Sequence, residues 1–304
     1  MIEIVDDYIN TIISIVLTVI GIIGNLLVLH ILGQRKFLKE IMFRYLFVVS
    51  LLDLLNLVAI WFKKYPYFFQ INTTSVICKW STYTFRLIDS SIPWFALLSS
   101  FERFLKVYYP TDFSYRKKFK YQALQICVLT CFMAVLNSPY YFFTDIIILR
   151  SNLTVCSYVD DIFFIEFDLD LYSSFYAVLI PSALMLVSTG LIGRKLKEKN
   201  LIKISEKKFI KNQQLMRTLL AMDVFFIVCN LPSTTMDLVS NLISPEYFSP
   251  FIVNLFKKIT ILYHALDFFV YFICNSLFRK YFYSMFVKDS KKHNINNFSS
   301  NLPS

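Results

Sequence analysis

Seven largely apolar stretches, each about twenty residues or longer, run through the chain and dictate a membrane fold. They lie near Ile9 to Gly33, Met42 to Phe62, Ser75 to Tyr108, Tyr121 to Phe143, Leu171 to Gly193, Leu215 to Ile243 and Ile252 to Cys274. A helix of that length crosses roughly 30 Å of hydrocarbon, where only helices and closed barrels keep every backbone group bonded. The chain is 56% hydrophobic and 17% charged, so no polar half is left to fold as a separate soluble domain. The expected architecture is an all-α membrane protein, a seven-transmembrane helix bundle over residues 9–286. A short extracellular N-terminus, residues 1–8, precedes it, and a disordered cytoplasmic tail, residues 287–304, follows. Spans three and six exceed the bilayer's requirement and are expected to tilt or project.

The net charge of +10 would point to nucleic acid in a soluble protein, but here Lys and Arg sort by side. The first connection carries Arg35, Lys36 and Lys39, the second Lys106, Arg116, Lys117, Lys118 and Lys120. The third runs from Arg194 to Arg217 with Lys at 195, 197, 199, 203, 207, 208 and 211, and the tail adds Arg279, Lys280, Lys288, Lys291 and Lys292. Cytoplasmic loops retain such residues, so these connections face the cytosol and the N-terminus faces out, most simply across the plasma membrane. No nucleic-acid partner is expected. Met1 to Asp7 hold Glu3, Asp6 and Asp7 and no basic segment, so the first span is expected to direct insertion itself.

Cys127, Cys131, Cys229 and Cys274 fall inside spans, where cysteine ordinarily serves as a small buried hydrophobe. Cys78, at the outer end of span three, and Cys156, in the connection after span four, both face the oxidising side and can pair. Asn72-Thr73-Thr74 and Asn152-Leu153-Thr154 are glycosylation acceptors in outer connections. Asn297-Phe298-Ser299 lies in the tail and is expected to stay unmodified. The three histidines, His30, His264 and His293, are too scattered for a metal site, and no Gly-rich phosphate loop occurs. No enzyme activity is expected.

An ionisable group at mid-bilayer costs about 2.5–3.5 kcal/mol on insertion scales, so each needs a partner or a wet cavity. Asp223, Asn230 and Asp237 on span six are seven residues apart, and Lys257, His264 and Tyr271 on span seven repeat that interval, with Asp267 beside them. A seven-residue step drifts only about 20° around a helix, so each set forms one stripe. On span three Asp89 precedes Arg103 by fourteen residues, about 21 Å along one face, and Arg86 is placed to pair with Asp89. Polar packing between helices would produce any one stripe. Three helices with the same pattern point to a shared polar interior. Asp223 has no partner that the sequence identifies.

Several short motifs follow one another at matching spans. Gly24-Asn25 lies in span one, Ser50-Leu51-Leu52-Asp53 in span two and Glu102-Arg103-Phe104 at the inner end of span three. Pro181 lies in span five, Cys229-Asn230-Leu231-Pro232 in span six and Asp267-Phe268-Phe269-Val270-Tyr271 in span seven. Together they resemble the rhodopsin-like (class A) G-protein-coupled receptors over Gly24 to about Phe286. The resemblance implies a Cys78–Cys156 disulfide and a short amphipathic eighth helix carrying Phe278. It also implies a switch built from Glu102, Arg103, Phe104, Pro232, Asp267 and Tyr271. The chain departs from the family at Asn230, Phe268 and Thr189, and Asn212 leaves no acid at the foot of span six, so Glu102 alone is expected to restrain Arg103. Phe268 together with Cys229-Asn230 is similar to invertebrate receptors for short amidated neuropeptides of the FMRFamide type and to related nematode chemoreceptors.

The resemblance implies a receptor that binds an extracellular ligand and activates heterotrimeric G proteins. The candidate ligand contacts are Arg86, Asp89, Asn230, Asp237, Lys257 and His264. No cofactor is expected, but Asp53 and Asp267, if opposed, are two carboxylates at low dielectric that call for a proton or a sodium ion between them. Asp145, Asp160, Asp161, Glu166, Asp168 and Asp170 crowd the connection carrying Cys156 against one Arg150. That rim attracts cations, so the expected agonist is a short basic amidated neuropeptide. A chemosensory receptor of the same fold is the alternative. A transporter or channel is the alternative of another class, although the first and last spans show no internal repeat. Phe85 stands where amine receptors carry an acid, and Ile261 where opsins carry their lysine.

Overall fold

A computed structural model describes residues 2–39, 41–64, 74–109, 119–148, 154–158, 169–200, 206–242 and 250–286. The long helices are α1 (Ile2–Leu32), α2 (Ile41–Lys64), α3 (Ser75–Tyr108) and α4 (Phe119–Leu136). Next comes α5, which starts as Leu169–Ser173, passes through a π-helical stretch Ser174–Leu179 and continues as Ile180–Asn200. Then follow α6 (Glu206–Leu242), α7 (Pro250–Cys274) and the short α8 (Ser276–Phe286). By length and apolarity Thr11–Leu32, Ile41–Trp61, Phe119–Leu136 and Leu171–Lys195 can each cross a membrane, and Lys258–Cys274 joins them if counted with the bent helix after it. In α3, which spans 34 residues, polar groups interrupt the apolar run; in α6, which spans 37, the apolar part is Leu220–Met236.

The bundle is apolar outside and polar inside, the reverse of a water-soluble core. Ile12, Val16 and Ile23 of α1, Leu124, Val128 and Val135 of α4, and Val224 and Val228 of α6 are exposed. Asn25, Ser50, Asp53, Asn56, Ser99 and Asp267 are fully buried. Hydrocarbon solvates the first set, while the second must be satisfied within the protein. Two apolar clusters seal the polar interior. One packs Val28, Leu32, Phe43 and Tyr271 against Phe278, and the other packs Tyr45, Ile92, Phe95, Met185 and Phe226 against Tyr263.

Two helix boundaries differ from the sequence reading. The first helix begins at Ile2, ahead of its apolar membrane-crossing part Thr11–Leu32. The fourth ends at Leu136, and a turn at Asn137 leads into a one-turn helix, Ser138–Phe142, because Pro139 lacks the N–H that a continuous helix needs. The π-helical stretch of α5 stands just before Pro181, where a widened turn absorbs the missing hydrogen bond. Prolines also sit inside α3 at Pro93 and inside α6 at Pro232.

On the outer side, β1 (Thr144–Ile148) and β2 (Thr154–Tyr158) form an antiparallel hairpin in which Ile146 faces Cys156. Cys156 is disulfide-bonded to Cys78, 78 residues earlier, which fastens the hairpin to the start of α3. A second tether is the Lys79–Asp145 ion pair at 3.2 Å. The Asp145 carboxyl is held below the usual carboxylate range by the Ser75 side chain, the Ile146 amide and Lys79. On the inner side the chain bends by 101° into α8, where Asn275 Oδ1 accepts from the amides of Leu277 and Phe278, both at 3.1 Å. Arg279 caps the end of α7 by donating to the Phe272 carbonyl at 2.9 Å. The sequons at Asn72 and Asn152, and the tail, lie outside the described residues.

Close approach of α1 to α7 rests on two glycines. A Cβ on Gly21 would meet the Leu57 side chain at 2.5 Å and the Ala265 backbone at 2.9 Å; one on Gly24 would meet Phe268 at 3.1 Å. Gly190, with nothing within 4 Å of a built Cβ, is a natural control. In detergent melts Gly21→Ala is expected to lose about 1–3 kcal/mol by overpacking, whereas Gly190→Ala gains about 0.5–1 kcal/mol from helix propensity. Equal melting midpoints for the two variants would contradict the close contact.

Candidate functional site

A polar network occupies the centre of the bundle, joining four helices. His264 of α7 is 3% exposed, and its Nδ1 lies 2.7 Å from Asp53 Oδ1 of α2. Its Nε2 lies 3.1 Å from Asn56 Nδ2 and 3.5 Å from Asp89 Oδ1 of α3. Asn56 Nδ2 also donates to Asp89 Oδ1 at 3.0 Å, and Asn25 Nδ2 of α1 donates to the His264 carbonyl at 2.8 Å. Asp53 is fully buried, while 34% of the Asp89 side chain stays accessible. One imidazole thus lies between two carboxylates. This is the kind of partner that lets charges survive in a low-dielectric interior, where an unpaired one would be several kcal/mol unfavourable.

Asp267 lies beside Asp53, as the opposed placement requires. The Asp53 and Asp267 carboxyls are buried against each other, and Tyr271 Oη is buried next to Ser50 Oγ. Such oxygens suit a proton or a hard cation rather than a soft metal. Ile92 of α3, an apolar side chain, is fully buried. Among the described residues no group of three or more His, Cys, Asp or Glu side chains could hold a metal ion.

Toward the outside, the Arg86 guanidinium lies 4.9 Å over the Tyr140 ring and interacts electrostatically with Asp89. Around them, Tyr176 Oη donates to Asn137 Oδ1 at 2.7 Å, Asn137 Nδ2 to Ser90 Oγ at 2.9 Å, and Trp94 Nε1 to the Tyr176 carbonyl at 2.9 Å. The π-helical stretch therefore docks on α3 and the end of α4. Asn230 is buried, and its amide donates to the Phe226 carbonyl at 3.0 Å. Among the candidate ligand contacts Arg86, Asp89 and His264 come together. The side chains of Asp237 and Lys257 lie outside the described residues.

At the inner end of α3, Glu102 and Arg103 are both buried. Glu102 Oε1 accepts from Gln125 Nε2 at 3.1 Å, and Tyr45 Oη donates to Gln125 Oε1, which ties α3 to α4 and α2. Phe104 stacks on Tyr108 with ring centroids 4.5 Å apart. Asp223 of α6 also interacts electrostatically with Arg103, a partner that the expectation of Glu102 alone did not include. Sequence reasoning also missed Gln122, which donates to the Ile41 carbonyl at 3.2 Å, and Gln125. Their signal was two polar residues three apart in an apolar span.

A family model described as 7 transmembrane receptor (rhodopsin family) matches residues 24–291. No curated protein matches the chain. His264 and Asp53 supply a quantitative check on the central network. His264→Leu is expected to destabilise the folded protein by about 3–5 kcal/mol, since it leaves Asp53 buried and unpaired. Adding Asp53→Asn should recover more than half of that loss in denaturant unfolding from mixed micelles. Strictly additive effects would contradict the pairing.

Proposed function

The chain belongs to the rhodopsin family of seven-transmembrane receptors, and we propose that it answers a short basic amidated neuropeptide at its outer face. Membership makes it a multi-pass membrane receptor rather than an enzyme, one that couples ligand binding to a G protein. The observation that carries the ligand class is charge. The outer connection holding Cys156 has six acids against Arg150, and Asp89 of α3 keeps an accessible edge. An excess of acids in an outer connection draws in a guanidinium and raises its association rate. Arg86, Asn230, Asp237, Lys257 and His264 complete the proposed ligand contacts.

In this reading the N-terminus is extracellular, the tail is cytoplasmic and the receptor works at the plasma membrane. Coupling runs through two states whose balance an agonist shifts by its differential affinity. Pro232 interrupts the hydrogen bonding of α6 and supplies the hinge about which its inner half moves. That motion exposes Arg103, with Glu102 and Phe104 beside it, to the G protein. Asp267 and Tyr271 pass the change down α7, and a proton or sodium ion between Asp53 and Asp267 balances the charge that His264 leaves uncompensated.

Transfected cells read for calcium and cyclic AMP, and challenged with amidated peptides, amines and odorants, test this function. Arg-containing amidated peptides are expected to signal, and Arg103→Ala to abolish the response at equal surface expression. Replacing Asp160, Asp161, Glu166 and Asp168 by Asn or Gln is expected to weaken peptide potency about tenfold, the loss of roughly 1.4 kcal/mol of electrostatic attraction. Unchanged potency would remove the basic ligand. A ligand-evoked current without G protein activation would remove the coupling.

A further inference from the structure

We propose that Asp223 holds the resting state by tying α6 to α3 and α5 just outward of Arg103, an inference that rests on the coupling role given to Arg103 above. Asp223 is 2% exposed. Its Oδ2 accepts a hydrogen bond from Thr189 Oγ1 of α5 at 2.6 Å. Both its oxygens lie 3.4 Å from Ser100 Oγ of α3, the hydroxyl three residues before Arg103. The Arg103 guanidinium, 7% exposed, interacts electrostatically with the same carboxylate. One side chain thus engages two hydroxyls and a cation on two other helices.

Position gives the cluster its consequence. Asp223 lies nine residues before Pro232, on the inner arm of α6 that the hinge would swing. Moving that arm outward removes the Thr189 and Ser100 donors together and takes the carboxylate away from Arg103. Hydrogen bonds to an ionised acceptor are about twice as strong as neutral ones, so the tie biases the equilibrium toward the closed arrangement. Asn212, at the foot of the same helix, has no carboxylate with which to do this. The tie therefore lies deeper in the bundle, where lipid and packed side chains keep water from competing for it.

The test uses the full chain in membranes and purified G protein heterotrimers, with no ligand added. Thr189→Val and Asp223→Asn are expected to raise basal guanine-nucleotide exchange about tenfold, within the usual range of coupling energies. Thr189→Ser, which restores the hydroxyl, should return exchange toward the wild-type level. Spin labels on Tyr109→Cys and Leu220→Cys, with Cys127 and Cys131 changed to Ser, report the α3–α6 distance without any G protein. The wild type is expected to give one short distance and the two variants an added longer population. An unchanged distribution in both variants overturns the tie and leaves the coupling role of Arg103 standing. A longer population whose raised exchange survives Arg103→Ala keeps the tie and overturns that coupling role.

Discussion

Hydrocarbon cannot solvate a charge or an open peptide group, and nearly every feature of this molecule follows from that limit. Backbone groups close on themselves in helices, apolar side chains turn outward, and charged side chains are driven to the middle of the bundle. Once there they have only one another. Asp53, His264, Asn56 and Asp89 meet because three helices, α2, α3 and α7, deliver polar residues to the same depth. Removing any one leaves the others in a medium that does not tolerate them.

The same limit explains why polar contacts mark the helix junctions that a receptor has to change. Among the described residues, Glu102 reaches α4 through Gln125, Asp223 reaches α5 and α3 through hydroxyls, and Tyr176 reaches the end of α4 through Asn137. Apolar surface packs on lipid nearly as well as on a neighbouring helix, so it does little to select one arrangement over another. A hydrogen bond between helices does select, because a donor separated from its acceptor finds no water to replace it. Prolines at 93, 181 and 232 then decide where the helices give way.

Much of this was legible in the chain itself. Span number and order follow from hydropathy, the Cys78–Cys156 link from two cysteines on the outer side together with the family resemblance, and the polar interior from seven-residue intervals. What was not legible was partnership. Periodicity says that Asp223 faces inward, yet only the packing of α5 and α3 shows that Thr189 and Ser100 are what it meets. Likewise the stripe on span seven puts His264 in the interior, yet only the depth at which α7 crosses α2 shows that it meets Asp53. The break after Leu136 depends on Asn137 and Pro139, two local residues that an apolar count runs straight through.

An odd number of crossings, with the basic connections turned to the cytosol, underlies every assignment of outer cleft and inner coupling surface. Epitope tags at the two termini, probed by antibody before and after selective permeabilisation of intact cells, test it most directly. The account predicts that the N-terminal tag is labelled on intact cells and the C-terminal tag only after permeabilisation. Both tags appearing on one face would contradict it.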